Sequence, residues 1–189
     1  LEPEWADASF ANTLDGTLHF REVLAVDLVN KTITIDAPIR YALLTRDAPT
    51  VNISTSNMVS EIGLEDFSLG NQEVVTNEND WLEVDGNGNP RAGLLDDGAH
   101  TDRARGAFNC SKSSAIYIDL VKNSWVKNVH TYQPTSNSYG THILSNGVVL
   151  DQCRGITLDN VYMGYSQYGG GSGNAYGFRI ESNDCLFKN

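Results

Sequence analysis

The sequence predicts an all-β chain whose larger part stacks as a parallel solenoid, a β-helix of short strands. Three observations lead there. A six-residue pattern recurs with an Asp or Asn in one fixed column. No amphipathic helical stretch occurs, which disfavours alternating βαβ folds. The N-terminal third departs from the pattern and reads as a β-hairpin.

Four segments carry the repeat: Ile62–Phe67, Ser124–Val129, Ile156–Val161 and Cys185–Asn189. Aligned, the first column is Ile62, Ser124, Ile156 and Cys185, and the third is Leu64, Val126, Leu158 and Phe187. Alternate side chains of a strand share a face, so these two columns point inward together. The fifth column is Asp66, Asn128, Asn160 and Asn189. Such residues tolerate the left-handed backbone of a corner and can bond through their side chains, so stacked coils would set them in a ladder. After the corner, Phe67, Val129 and Val161 face inward again. The spacings along this column are 62, 32 and 29 residues, the first long enough for two coils with one large excursion. An antiparallel sandwich also gives short strands and frequent turns. It offers no reason for the recurring column.

Residues 1–60 form the N-terminal β-rich region. Phe20–Asp27 and Thr32–Ile39 are strand-like runs joined through Asn30-Lys31, and Pro38 belongs at the end or edge of the second. Residues 61–189 then hold the coils and their long loops. Between Gln72 and Ala107 the chain reads as loop, centred on Asp85-Gly86-Asn87-Gly88-Asn89-Pro90.

Composition narrows the function. With 189 residues and 40% hydrophobic content, the chain can bury one sizeable core. No run approaches the 18 apolar residues of a membrane span. The net charge of -11 repels phosphate backbones, which excludes nucleic acid, and disfavours a polyanion unless basic residues cluster. The chain opens at Leu1 without an apolar leader, as a mature or proteolysed terminus or a partial chain would. Sequons at Asn30, Asn52 and Asn109 permit glycosylation in a secretory compartment. Cys110, Cys153 and Cys185 allow at most one internal bridge and match no zinc spacing. The expected location is extracellular.

Arg21–Ile39 (R-x-V-x-A-V-D followed by T-I-T-I-D-A-P-I), the entry segment Glu61–Asp66 and the rung Asn123–Val129 (N-S-W-V-K-N-V) together resemble the pectin-lyase-like β-helix superfamily. The resemblance runs from about Phe20 onward and implies a right-handed parallel β-helix. That scaffold houses polysaccharide lyases, glycoside hydrolases, tailspikes and adhesins, so it implies a polysaccharide partner more than a particular reaction. No catalytic motif of the family carries over residue by residue. The chain stops in mid-rung at Asn189, so further coils or a partner chain are expected to cover that end.

Two long loops follow aligned rungs, at His130–His142 and Tyr162–Tyr176. Equivalent insertions in a parallel solenoid emerge on one side, giving an expected wall of Tyr132, Tyr139, Tyr165, Tyr168 and Tyr176 for stacking on sugar rings. A lyase needs a base and a cation, which His130 or His142 with Arg179 would supply, with Tyr132 or Tyr176 as acid. A hydrolase needs two carboxylates, for which Asp96 with Asp97, or Asp102, are the candidates. Asp85, Asn87, Asn89 and Asp96 echo a calcium loop, although Pro90 sits where its glycine belongs. The expected cofactor is therefore none, or calcium. The expected function is a secreted carbohydrate-active β-helix, lyase-like or hydrolase-like; the alternative is a non-catalytic adhesin or assembly subunit.

Overall fold

The computed structural model describes residues 19–39, 50–53, 57–74, 110, 112–138, 140–168 and 174–189. The chain divides into two compact units, Leu1–Asn57 and Met58–Asn189. Among the described residues both are built of strands, with no α-helix.

In the first unit β1 (Val23–Asp27) pairs antiparallel with β2 (Thr32–Ile35). The turn forms because Asp27 accepts bonds from the backbone N–H groups of Val29 and Asn30, at 2.9 and 3.0 Å, and from the Asn30 amide at 2.7 Å. The Asn30 backbone bond, then its side-chain bond and that of Val29, hold the Asp27 carboxyl below its ordinary pKa. Lys31 takes the left-handed conformation that closes the turn. Val23, Leu24, Val26 and Ile33 are all exposed, so this ribbon buries little of its own apolar surface.

The second unit is a parallel sheet. Its strands are β3 (Val59–Ser60), β4 (Gly63–Leu69), β5 (Ser114–Asp119), β6 (Val121–Thr131), β7 (Asn146–Tyr162), β8 (Phe178–Asn183) and β9 (Leu186–Lys188). Strand β7 is central. One edge pairs with β5 along its first half and β6 along its second, and the other edge pairs with β8 and then β9. Strands β3 and β4 continue the stack beyond β6. Each pairing is parallel, so the chain must return to the same side before every strand.

The recurring segments fall in register: Leu64, Val126, Leu158 and Phe187 lie on successive strands. Asp66, Asn128 and Asn160 all adopt positive φ, and the Asn128 amide donates to Asp66 at 2.7 Å and the Asn160 amide to Asn128 at 3.0 Å. These bonds offset the roughly 1–2 kcal/mol that left-handed backbone costs an ordinary residue. A second left-handed column, Glu61, Asn123, Gly155 and Asp184, precedes it, and Leu120 and Gln152 form a shorter third. Three bends per layer therefore separate short straight runs.

Burial follows layer order. Val126, Val129, Val148, Leu150, Cys153, Ile156 and Leu158 make the core of the inner layers. Leu64 is only half buried, and Phe187, expected inside, is 46% exposed. Phe187 does occupy the inward column, but β9 is the outermost described strand there, and its ring meets that of Phe178 edge-on at 5.6 Å.

Close stacking makes one glycine indispensable. A Cβ at Gly147 would stand 2.3 Å from the Gly177 carbonyl oxygen and 2.5 Å from Met163 Cβ. Gly147→Ala should therefore lower stability by about 3 kcal/mol in urea unfolding. Gly140→Ala, with open space around its Cβ but φ of 77°, should lose only about 1 kcal/mol.

Candidate functional site

The outward face of β5, β7 and β8 gathers the most chemistry. Ile116, Val148 and Phe178 are in register, as are Ile118, Leu150 and Ile180. Strand alternation then directs the residues between and beyond them outward. One such row is Tyr117, Val149 and Arg179, of which Val149 is buried; the next is Asp119, Asp151 and Glu181. Three carboxylates thus stand on adjacent strands about 4.8 Å apart.

The members of this face differ in what holds them. The Tyr117 hydroxyl donates to Asp151 Oδ2 at 2.8 Å. That bond above all, then desolvation and the charges of Asp151, Asp119 and Glu181, pushes the Tyr117 pKa up to about 12. The phenol therefore keeps its proton at every physiological pH and remains a donor. Glu181 is engaged by Arg179, whose Nε donates at 2.7 Å and whose Nη2 lies 2.5 Å away. Asp119 is exposed. This row can place one fixed carboxylate beside another that is open to solvent, with a guanidinium at its margin.

Sequence reasoning missed these carboxylates because it followed the columns after the corner. The signal lies one segment earlier: Ile118-Asp119-Leu120, Leu150-Asp151-Gln152 and Ile180-Glu181-Ser182 repeat apolar–acid at intervals of 32 and 30 residues, close to the 32 and 29 of the corner column.

The loops are also stacked. The His142 N–H donates to the Tyr165 carbonyl at 2.8 Å, the Asn71 N–H to the His142 carbonyl at 2.8 Å, and Ile143 bridges Ser166 in parallel. The His142 ring lies 4.5 Å from that of Tyr165 at 46°, and its Nδ1 is 3.3 Å from Thr131 Oγ1. His130 is in register with Tyr162, and its Nε2 lies 3.2 Å from the Asn160 carbonyl oxygen. The Tyr162 phenol is raised by desolvation and by Tyr165. The two histidines, Tyr162 and Tyr165 thus share one edge of the sheet.

Other expected contacts are corrected. Tyr168 is buried in a small cluster with Cys110, so it belongs to no sugar-facing wall. The loop amides are clamps: buried Gln167 exchanges two bonds with the Val74 backbone, 3.0 and 2.7 Å, and buried Asn137 ties Asn71, Glu73 and Thr141. Tyr132, Tyr165 and Tyr176 are each about half exposed, and they line neither the cleft at Leu158, Val161 and Phe187 nor the one at Ile62, Leu64 and Trp125. Arg179 is not joined to the histidines, since it registers with Val149 near the start of β7 and His130 with Tyr162 at its end. The expected base–cation pair is therefore not assembled.

Tyr139, Asp96, Asp97, Asp102, the loop of Asp85, Asn87 and Asn89, and the sequon Asn109 lie outside the described residues. Asn30 and Asn52 are exposed. Among the described residues no group of three or more His, Cys, Asp or Glu is arranged to hold a metal, and no helix is long and apolar enough to cross a membrane. The cysteines are unbridged; burial raises the thiol pKa of both Cys153 and Cys185.

No family model, curated protein or solved structure matches this chain.

Proposed function

We propose that the Met58–Asn189 unit is part of a right-handed parallel β-helix from a secreted protein, and that its outward carboxylate row hydrolyses glycosidic bonds of a polysaccharide. The observation that carries this is the Asp119, Asp151 and Glu181 register with Tyr117 bonded to Asp151. Glycoside hydrolysis asks for two carboxylates flanking the bond, about 5–5.5 Å apart for double displacement. Adjacent parallel strands supply nearly that spacing through their backbone alone. In this reading Asp151, oriented by Tyr117, attacks the anomeric carbon while exposed Asp119 protonates the leaving oxygen, and Asp119 then takes a proton from the water that displaces the sugar from Asp151. Glu181, tied to Arg179, shapes the neighbouring subsite. Such chemistry requires no cofactor.

Hydrolysis is favoured over β-elimination because Arg179 is already committed to Glu181 and stands apart from the histidines. The exposed Tyr162 and Tyr165 remain available as a secondary surface for the same polymer. Incubating the 189-residue chain with a panel of neutral and uronate polysaccharides tests the proposal. New reducing ends without unsaturated products are expected. Unsaturated products would establish elimination instead, and no turnover on any polymer would sink the enzymatic reading.

One further consequence concerns the phenol. In an alkaline ultraviolet titration, Tyr117 should ionise near pH 12 in the native chain and closer to 10 in Asp151→Asn, where the charged acceptor is gone. An unchanged titration would show that Asp151 does not hold the hydroxyl.

A further inference from the structure

The corner ladder ends on a histidine, and the direction of the ladder decides what that histidine offers. Asp66 closes one end, and an ionised carboxylate only accepts hydrogen bonds. The Asn128 side chain therefore turns its Nδ2 to Asp66 Oδ1, at 2.7 Å. That leaves Asn128 Oδ1 for the next layer, where Asn160 Nδ2 donates to it at 3.0 Å. Asn160 in turn sets its Oδ1 3.3 Å from the Nε2 of His130, and its backbone carbonyl oxygen stands 3.2 Å from the same nitrogen. Both of those oxygens accept. Nε2 carries the proton for this reason, and in the neutral imidazole Nδ1 keeps its lone pair.

His130 is exposed, and among the described residues nothing bonds its Nδ1. It stands in register with Ser68 on β4 and Tyr162 on β7. The preceding residues Val129 and Val161 are buried, so alternation sends this row outward. Tyr162 is about half exposed. The row thus presents an acceptor nitrogen beside a phenol ring. A bare imidazole nitrogen takes an O–H group and repels a carboxylate, and the only N–H of this ring already serves the ladder.

We propose that the edge formed by Ser68, His130 and Tyr162 is a subsite for a neutral sugar. His130 Nδ1 accepts a sugar hydroxyl, and Tyr162 covers the apolar face of the ring. Asp66, Asn128 and Asn160 are positioning residues that hold His130 in its accepting form. The ligand rests on the polysaccharide reading above, whereas the tautomer does not. Discrimination follows from polarity, because a uronate carboxylate finds no imidazole donor here while the ring is neutral.

Nitrogen NMR of the imidazoles in the isotopically labelled chain tests both halves, at about pH 8.5, where a free imidazole is neutral. His130 should show a protonated Nε2 and a bare Nδ1; the reverse assignment overturns the proposal. Asp66→Asn keeps the shape of the corner but removes the acceptor-only end, so the ladder can reverse and the Nδ1–H form should grow several-fold. An unchanged tautomer in that variant overturns the role of the ladder. Saturating neutral oligosaccharide should shift Nδ1 and leave Nε2 nearly still, and an oligouronate should move neither. His130→Phe, at an exposed position, should weaken the neutral oligosaccharide at this edge about fivefold, the net worth of one hydrogen bond. Shifts at the Tyr117 row with Nδ1 unmoved overturn this subsite and leave the polysaccharide reading standing. Binding nowhere on the chain removes both, and the tautomer then stands by itself.

Discussion

Val126→Asp should destabilise the parallel unit by at least about 4 kcal/mol, lowering its melting temperature markedly. Val126 is 0% exposed and lies between Leu64 and Leu158 in the inward column, with Val129 and Ile156 also in its cluster. A carboxylate there loses its hydration and finds no cation, since the column on either side is aliphatic. Domain stabilities are only about 5–15 kcal/mol, so one such substitution removes a large share. Lys127→Ala, one residue on and facing outward, should change the melting temperature little. Thermal unfolding followed by circular dichroism compares the two. Equal midpoints would mean that Val126 faces solvent.

Asp151→Asn should lower the rate of polysaccharide hydrolysis by about a thousandfold while leaving the fold intact. The amide is nearly isosteric and can still meet the Tyr117 hydroxyl, but it can neither attack an anomeric carbon nor accept a proton from water. Asp159→Asn makes a suitable comparison, because that carboxylate belongs to the Lys188 pair on the far run of β7 and should leave turnover unchanged. A smaller loss should follow Tyr117→Phe, about tenfold, through misorientation of Asp151. Equal activity in Asp151→Asn and the native chain would remove the carboxylate row from the chemistry.

How much of this was legible in the residues depends on how directly each feature rests on periodicity. The corner column was legible because only a few residue types tolerate left-handed backbone while bonding to their own kind, and Asp66, Asn128 and Asn160 are such residues. The second column was hidden by its mixture, Glu61, Asn123, Gly155 and Asp184, which no residue preference unites. The inward column was legible in position but not in burial. Phe187 and Leu64 are as apolar as Val126, yet exposure at the outer layers is set by what lies above them, which a column cannot express.

The candidate site was less legible than the fold. Aspartates separated by some thirty residues look unrelated until the layers are superposed, and only then do Asp119, Asp151 and Glu181 share a row. The loops misled in the opposite sense. Asn137 and Gln167 have the chemistry of sugar-binding residues, but the same amides satisfy buried backbone groups equally well. Gln167 finds its partner at Val74, 93 residues away, a pairing that composition does not reveal. The histidines and Arg179 are compatible as residue types and are separated by geometry.

The most direct test of the outward carboxylate row is where an oligosaccharide touches the chain. Titrating a short, slowly cleaved oligosaccharide into the isotopically labelled protein and following backbone amide shifts by NMR locates the contact. The largest shifts are expected at Tyr117, Asp119, Asp151, Arg179 and Glu181, with smaller ones at Tyr162 and Tyr165. Shifts confined to the loop edge around His130 and His142, or absent at saturating oligosaccharide, would contradict a reacting site on β5, β7 and β8.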